Sequence, residues 1–334
     1  MAELGDEPIF INYNPELEKS FAKNQRAGWK YALSAFENFP IHPNAIQFDS
    51  FVDKTFLWGG KNFKKRRHIF PWIGILHNPP GIIFKKKSPQ YLLKQKRFLQ
   101  SLKNCKGLFV LSNYLKEWLK IQKFMLNIKI NVIYLPTETP SENLWFTMDK
   151  FQENQNKQII QIGFALRKKE SIFKLGSLKF LNRVILPCTK RMHMEYKYET
   201  GTDIPNNPNV IQMEHISNEH YDQLLSQNIV FLDLFDSSAN NSIIECVVRN
   251  TPILVKDLPA VREYLGENYP FYFTNLEQAR EKANNLQLIL QTHEYLKNYK
   301  TKEKFTKKYF IQSILQSEIY QSLKLRHLNF SNHI

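Results

Sequence analysis

Residues 228–273 read NIVFLDLFDSSANNSIIECVVRNTPILVKDLPAVREYLGENYPFYF, and the order of elements within them decides the fold. Residues 229–234 are a short apolar run, the pattern of a strand buried on both faces. A polar loop follows at 235–241. Ser242 then opens a helix, and Ser242 with Glu245 fits the S-x-x-E capping box, which accounts for Glu245 without any ligand. Asn250 and Pro252 mark the helix end, residues 253–255 the next buried strand, and Pro259 the start of a second helix. Strand, loop, helix, repeated, predicts a parallel α/β sheet. Ligands of such sheets bind beyond the carboxyl ends of the strands. The 235–241 loop lies there and feeds a helix N-terminus, where free N–H groups and the helix dipole favour an anion.

Outward from this stretch, 334 residues suit one or two domains, and an apolar fraction of 43% supports sizeable cores. Cys105, Cys188 and Cys246 have no paired spacing, which points away from a disulfide framework or a zinc site and towards a reducing compartment. The start MAELGDEPIF lacks the pattern of a signal peptide, and no apolar run reaches the roughly 20 residues of a membrane span. The expected location is cytoplasmic, peripheral on the inner face of a membrane. Charge is placed unevenly. Residues 61–129 hold seventeen Lys/Arg and one acid, Glu117, whereas the rest of the chain holds twenty-nine against thirty. A segment this basic attracts anionic surfaces, so an anionic membrane leaflet is an expected partner. No nucleic-acid-binding module accompanies the charge, and nucleic acid is not expected.

In the first half, Gly28 precedes a helix with Trp29, Ala32, Leu33 and Phe36 on its apolar face. Residues 69–76 form the strongest strand, and His77-Asn78-Pro79-Pro80 follows at its carboxyl end. Ser88-Pro89 starts a helix running to about residue 104, with Leu92, Leu99 and Leu102 inward and a basic outer face. Residues 137–156 are polar with little periodicity and read as a linker. A strand at 158–162 then leads into Gly163-Phe164-Ala165-Leu166-Arg167-Lys168-Lys169. Residues 301–326 carry one helical apolar stripe.

The 228–273 stretch resembles the sugar-nucleotide half of a GT-B glycosyltransferase of the family 4 kind. Asn241-Ser242-Ile243-Ile244-Glu245-Cys246 is similar to that family's N-S-L-L-E-A, Thr251-Pro252-Ile253-Leu254-Val255 to its G-T-P-V-I, and Glu263 stands in its downstream acidic position. The resemblance covers residues 158–273 closely and the N-terminal half in outline. It implies two Rossmann-like parallel-sheet domains facing a cleft, with a C-terminal helix crossing back. The domains implied are 1–136 on the acceptor side, a linker at 137–156, a sugar-nucleotide domain at 157–300, and the helix at 301–334.

In the family's E-x7-E pattern the second Glu, which holds the ribose, falls on Glu245. The first falls on Ser237, a departure that questions any sugar contact there. Gly163, Arg167, Lys168, Lys169, Ser237, Asn241 and Ser242 complete the implied sugar-donor set, with Arg167 gripping the diphosphate through two N–H groups. Phe164 stands where the family places that Arg. His77 is implied as the catalytic residue facing sugar and acceptor, with Gly28 and Asn78 on the acceptor side. No metal and no cofactor are expected beyond the nucleotide-sugar substrate, UDP- or GDP-linked. The implied activity is a retaining, metal-independent hexosyl transfer to a glycan, lipid-linked or other anionic acceptor. The alternatives are a sugar-nucleotide epimerase of the same fold, or an inactive glycosyltransferase-like protein that binds through its basic half.

Overall fold

The computed structural model describes residues 7–13, 28–58, 68–82, 85–163 and 165–331. Contacts divide the chain into two units. The first comprises Met1–Glu138, Asp236–Ala239 and Glu303–Ile334, and the second Thr139–Phe235 and Asn240–Lys302.

Unit 2 is built on six strands, β6 (Gln158–Ile162), β7 (Asn182–Leu186), β8 (Val210–Gln212), β9 (Ile229–Leu232), β10 (Ile253–Lys256) and β11 (Tyr272–Phe273). All pair in parallel, in the order β11-β10-β9-β6-β7-β8. Their apolar runs are buried on both faces: Ile159, Ile160, Val184, Ile185, Val230, Phe231 and Leu254 are all inaccessible to solvent, as continuous rather than alternating patterns require. The chain builds outward from β6 through β7 to β8, then returns to lay β9 on the other side of β6. The order therefore reverses between β6 and β9, and that switch point is where a doubly wound sheet leaves a ligand crevice at its carboxyl edge.

Unit 1 holds β1 (Ile9–Tyr13), β2 (Ile41–Asp49), β3 (Trp72–Leu76), β4 (Cys105–Val110) and β5 (Ile130–Val132), also all parallel. Their order is β1-β2-β3-β4-β5. Trp72, Phe98, Leu108, Val110 and Leu115 form the centre of its core. The C-terminal helices Lys307–Leu315 and Glu318–Ser331 belong to this unit. The second packs so closely on β4 that a Cβ at Gly107 would lie 2.5 Å from Ile319 Cγ1. The sequence expectation of two Rossmann-like sheets, with the chain's last helix returning to the N-terminal one, is met.

Three local expectations need correction. The helix expected from 88 to about 104 is two, Pro89–Leu92 and Lys96–Leu102, because Gln95 is extended. One continuous helix would set Leu92 and Phe98 about 120° apart around its axis at 3.6 residues per turn, whereas the break lets both reach the core. The 301–326 stripe is likewise split, with Gln316 and Ser317 between its two helices. Residues 137–156 are not a plain polar connection. They hold the helix Met148–Glu153, capped by Thr147, and bury Phe146 and Phe151 in contact with each other. The basic run 64–67 lies outside the described residues. No described helix is long and apolar enough to cross a membrane.

Candidate functional site

The helix Asn241–Arg249 follows β9 at the switch point of unit 2. Its cap is Asn240, not Ser242: the Asn240 side chain accepts from the Ser242 amide at 3.1 Å. Asn is as good a cap as Ser, and two asparagines in a row shift the start by two residues. Glu245 therefore lies in the helix's second turn, out of reach of a capping box, and the box does not explain it. Its carboxylate instead accepts the Tyr221 hydroxyl at 2.5 Å through Oε2. No described residue donates to Oε1. Burial raises the Glu245 carboxyl above its usual range, against Arg249, the Tyr221 hydroxyl and Arg167, which lower it. Burial, with the Glu245 charge, holds the Tyr221 hydroxyl well above its ordinary value, so Tyr221 remains a donor.

Arg249, from the same helix, is buried and donates to Asp222 Oδ1 at 3.0 Å and to the Glu245 carbonyl at 3.2 Å. Tyr221 and Asp222 are adjacent on the helix Asn218–Ser226. The two helices are thus joined by a hydroxyl–carboxylate bond beside a buried ion pair. Tyr221, Asp222 and Arg249 are absent from the set of site residues that the sequence singled out. The i, i+4 spacing of Glu245 and Arg249, in an otherwise apolar helix, was the available signal.

Arg167 reaches the start of the same helix. Its Nε donates to the Ile162 carbonyl at 2.9 Å, Nη1 to the Ala165 carbonyl at 2.6 Å, and Nη2 to Asn240 Oδ1 at 3.1 Å and Ser242 Oγ at 3.0 Å. Gly163, at φ +77°, makes room for it, since a Cβ there would lie 3.2 Å from the guanidinium carbon. Arg167 also pairs in an isolated bridge with Leu234, tying the loop after β6 to the loop after β9. Burial lowers its pKa to about 10, against Tyr221 and Glu245, so it stays charged at neutral pH. Four of its five N–H groups are taken by the protein. The expected two-pronged grip on a diphosphate is not available in this arrangement. Arg167 supplies charge and fixes the loop.

Lys168 keeps a half-buried ammonium 3.6 Å from Asp233 Oδ1 and 5.8 Å from the Phe235 ring centre. Lys169 is fully buried and donates to Glu199 Oε2 at 2.5 Å. The expectation that Lys169 faces a ligand is corrected: it is a structural partner of the helix Lys190–Thr200. Asn241 opens the 241–249 helix, half-buried, and no described residue accepts from its amide N–H. Ser242 is buried beneath the Arg167 guanidinium. Phe164 lies outside the described residues.

In unit 1 the segment Asp236–Ala239 is held firmly. Asp236 accepts from the Gly81 amide at 2.6 Å, the Tyr114 hydroxyl at 3.2 Å and the Ser237 amide at 2.8 Å. A Cβ at Gly81 would lie 2.5 Å from Asp236 Oδ2, so only glycine allows this approach. Ser237 is buried, and the neighbouring acid is fully engaged, so Asp236 does not stand in for the missing first Glu of the E-x7-E pattern.

His77 does follow the carboxyl end of β3, but both ring nitrogens are occupied. Trp29 Nε1 donates to Nδ1 at 2.8 Å, and Nε2 donates to the Ser50 carbonyl at 2.9 Å. The ring stacks on Phe51 at 3.7 Å. Burial lowers its pKa to about 3, the Ser50 carbonyl opposing. His77, expected as the catalytic residue facing sugar and acceptor, is instead a neutral ring with both nitrogens bonded within the fold. Beneath it Asp53, wholly buried, accepts the amides of His77 at 2.8 Å and Asn78 at 3.4 Å. Burial raises the Asp53 pKa to about 7. Asn78 donates its side-chain amide to the Lys87 carbonyl. Gly28 caps the helix Trp29–Leu33 at φ 108°, a conformation that favours glycine. Gly28 and Asn78 thus have local structural duties. Among the described residues no group of three or more His, Cys, Asp or Glu is placed to hold a metal ion.

No family model and no curated protein matches this sequence. Solved structures do. HepE of Anabaena, in complex with UDP and glucose, is similar at a TM-score of 0.58 and 12% identity, over 86% of this chain and 79% of its own. The fold is GT-B. The trehalose-6-phosphate synthase OtsA is similar at 0.54 and 11% identity over 86% of this chain and 75% of its own. The sucrose-phosphate synthase of Thermosynechococcus elongatus is similar at 0.52 and 11%, over 91% and 78%. At these identities the likeness shows the GT-B fold alone, and the site must be argued from its own geometry.

Proposed function

We propose that this protein is a glycosyltransferase that moves a sugar from a UDP- or GDP-linked donor to a glycan, lipid-linked or other anionic acceptor. The observation that carries this reading is Glu245. It is a carboxylate pinned by Tyr221 at the switch point of a GT-B unit, with one oxygen unshared and no capping role to explain it. A ribose offers two vicinal hydroxyls as donors to such an oxygen. Lys168, the Arg167 charge and the N-terminus of the 241–249 helix supply positive potential for the diphosphate, which is the leaving group. Fixed positive charge stabilises the negative charge that grows there as the glycosidic bond breaks. The reading therefore assigns no metal and no cofactor to the reaction. Retention of anomeric configuration is part of the proposal.

The test is incubation of the full chain with UDP- and GDP-sugars and candidate glycan and lipid-linked acceptors, followed by mass spectrometry and NMR of the products. The expected result is a glycosylated acceptor with the anomeric configuration of the donor. Appearance of a new nucleotide sugar without acceptor would establish an epimerase instead. Nucleotide binding without turnover would instead trace to Ser237, buried in place of the first acid of the pattern.

A further inference from the structure

All five strands of unit 1 are parallel, so the segments that enter them gather at one edge of the sheet. This amino edge is opposite the one that carries His77 and Ser112. Ile41 begins β2, Ile69 and Phe70 lie just before β3, and Lys103 just before β4. The helix Asn113–Lys120 leaves β4 at the far edge and returns to this one, where the 3-10 turn Lys123–Met125 leads into β5. Asn104 ties two of these segments together, donating from Nδ2 to the carbonyls of His68 at 3.2 Å and Ile69 at 3.0 Å.

The edge is apolar where it meets water. Ile121 is 76% exposed, Phe70 71%, Leu126 69%, Ile69 67% and Phe124 56%. Of eleven large apolar side chains exposed among the described residues, six lie here once Ile41 is included. Single exposed apolar residues need no explanation, but a concentration of them does.

The turn that presents them is anchored. Met125 and Leu119 are buried in the core, and amides close each step: Gln122 on the Leu119 carbonyl, Met125 on Gln122, and Ile128 on Met125. Phe124 and Leu126 are therefore held outward on either side of a fixed Met125. Lys120, Lys123 and Lys129, all exposed, flank them in sequence, and exposed Lys103 lies just before β4 at the same edge. The nearby acids Glu117 and Glu318 are themselves exposed and paired with Lys120 and Lys129, contacts that solvent makes weak. The sequence holds five further Lys/Arg at positions 61–67.

We propose that the amino edge of the unit 1 sheet docks on an anionic phospholipid bilayer. Phe124, Leu126, Ile121, Ile69 and Phe70 enter the boundary between headgroups and acyl chains, and the lysines match lipid phosphates. Basic charge alone would suit any polyanion. The apolar side chains gain only where they leave water, and a bilayer provides that while a soluble polyanion does not. The carboxyl edge of the same sheet then faces away from the lipid. This inference needs no transferase activity, so its test and the test of that activity fail separately.

The experiment is co-sedimentation of the full chain with vesicles of phosphatidylcholine, alone or mixed with phosphatidylglycerol. Binding to the mixed vesicles only, weakened by salt, is expected. Phe124→Ser with Leu126→Ser should weaken it at least about tenfold, and Lys120→Gln with Lys123→Gln by a similar factor with loss of salt sensitivity. Because all four side chains are exposed, the melting temperature should not move. Three results would overturn the proposal. They are equal partition to both vesicle types or to neither, vesicle binding unchanged in both double variants, and retention by soluble polyphosphate without vesicle binding.

Discussion

In unit 2 the strand order reverses between β6 and β9, whereas in unit 1 the described strands follow one another from β1 to β5 without reversal. Both sheets place polar and titratable residues at their carboxyl edges, yet they use them differently. At the unit 2 edge Tyr221 and Arg249 fix Glu245 and leave one carboxylate oxygen unshared. At the unit 1 edge His77 spends both nitrogens on Trp29 and Ser50, and Asp53 and Asp236 accept from backbone amides. Position at a strand end is therefore not enough to make a site. What separates the two edges is whether a fixed polar group keeps a bonding position free.

The largest test of this contrast removes the support beneath Glu245. Arg249→Ala breaks the buried ion pair with Asp222 and should destabilise unit 2 by ~3–5 kcal/mol, read by chemical denaturation. Next is the pH dependence of unit 1. The Asp53 pKa of about 7 lies above its unfolded value, so the folded state holds a proton that the unfolded chain has lost. The associated stability is full below about pH 4 and is lost as pH rises through 7, a swing of up to ~4 kcal/mol at about 1.4 kcal/mol per unit. Asp53→Asn should flatten stability across that window in denaturation curves. His77→Phe keeps the stack on Phe51 but takes the acceptor from the Trp29 indole N–H and removes the ring's bond to the Ser50 carbonyl. It should cost ~2–3 kcal/mol in stability and leave nucleotide affinity unchanged. A loss of affinity without loss of stability would return His77 to the reaction. The smallest effect is Tyr221→Phe, which frees Glu245 to move. Sugar-nucleotide affinity should fall about tenfold, ~1.4 kcal/mol, for one hydrogen bond to a charged group, with stability little changed.

Much of this was legible in the sequence because it rests on local rules. Asn250, left-handed at φ 60°, ends the 241–249 helix, and Pro259 opens the next, as their residue types require. The buried strands followed from continuous apolar runs. The start of the 241–249 helix was misplaced because Asn240, Asn241 and Ser242 are all competent caps and only backbone geometry selects among them. The roles of Arg167, Lys169 and His77 were not legible for a different reason. Each is set by partners distant in sequence, Asn240, Glu199 and Trp29 respectively, and no local pattern announces them. Tyr221 was not singled out for the same reason, since its partner is twenty-four positions away.

Calorimetric titration of the full chain with UDP- and GDP-sugars, beside Glu245→Gln, bears most directly on the claim that this carboxylate seats a nucleotide. Saturable binding of one donor class is expected, weakened at least about tenfold by the variant, since the amide keeps the shape but loses the charge that strengthens each hydrogen bond. No heat with either nucleotide in the intact protein, or equal affinity in Glu245→Gln, would contradict it.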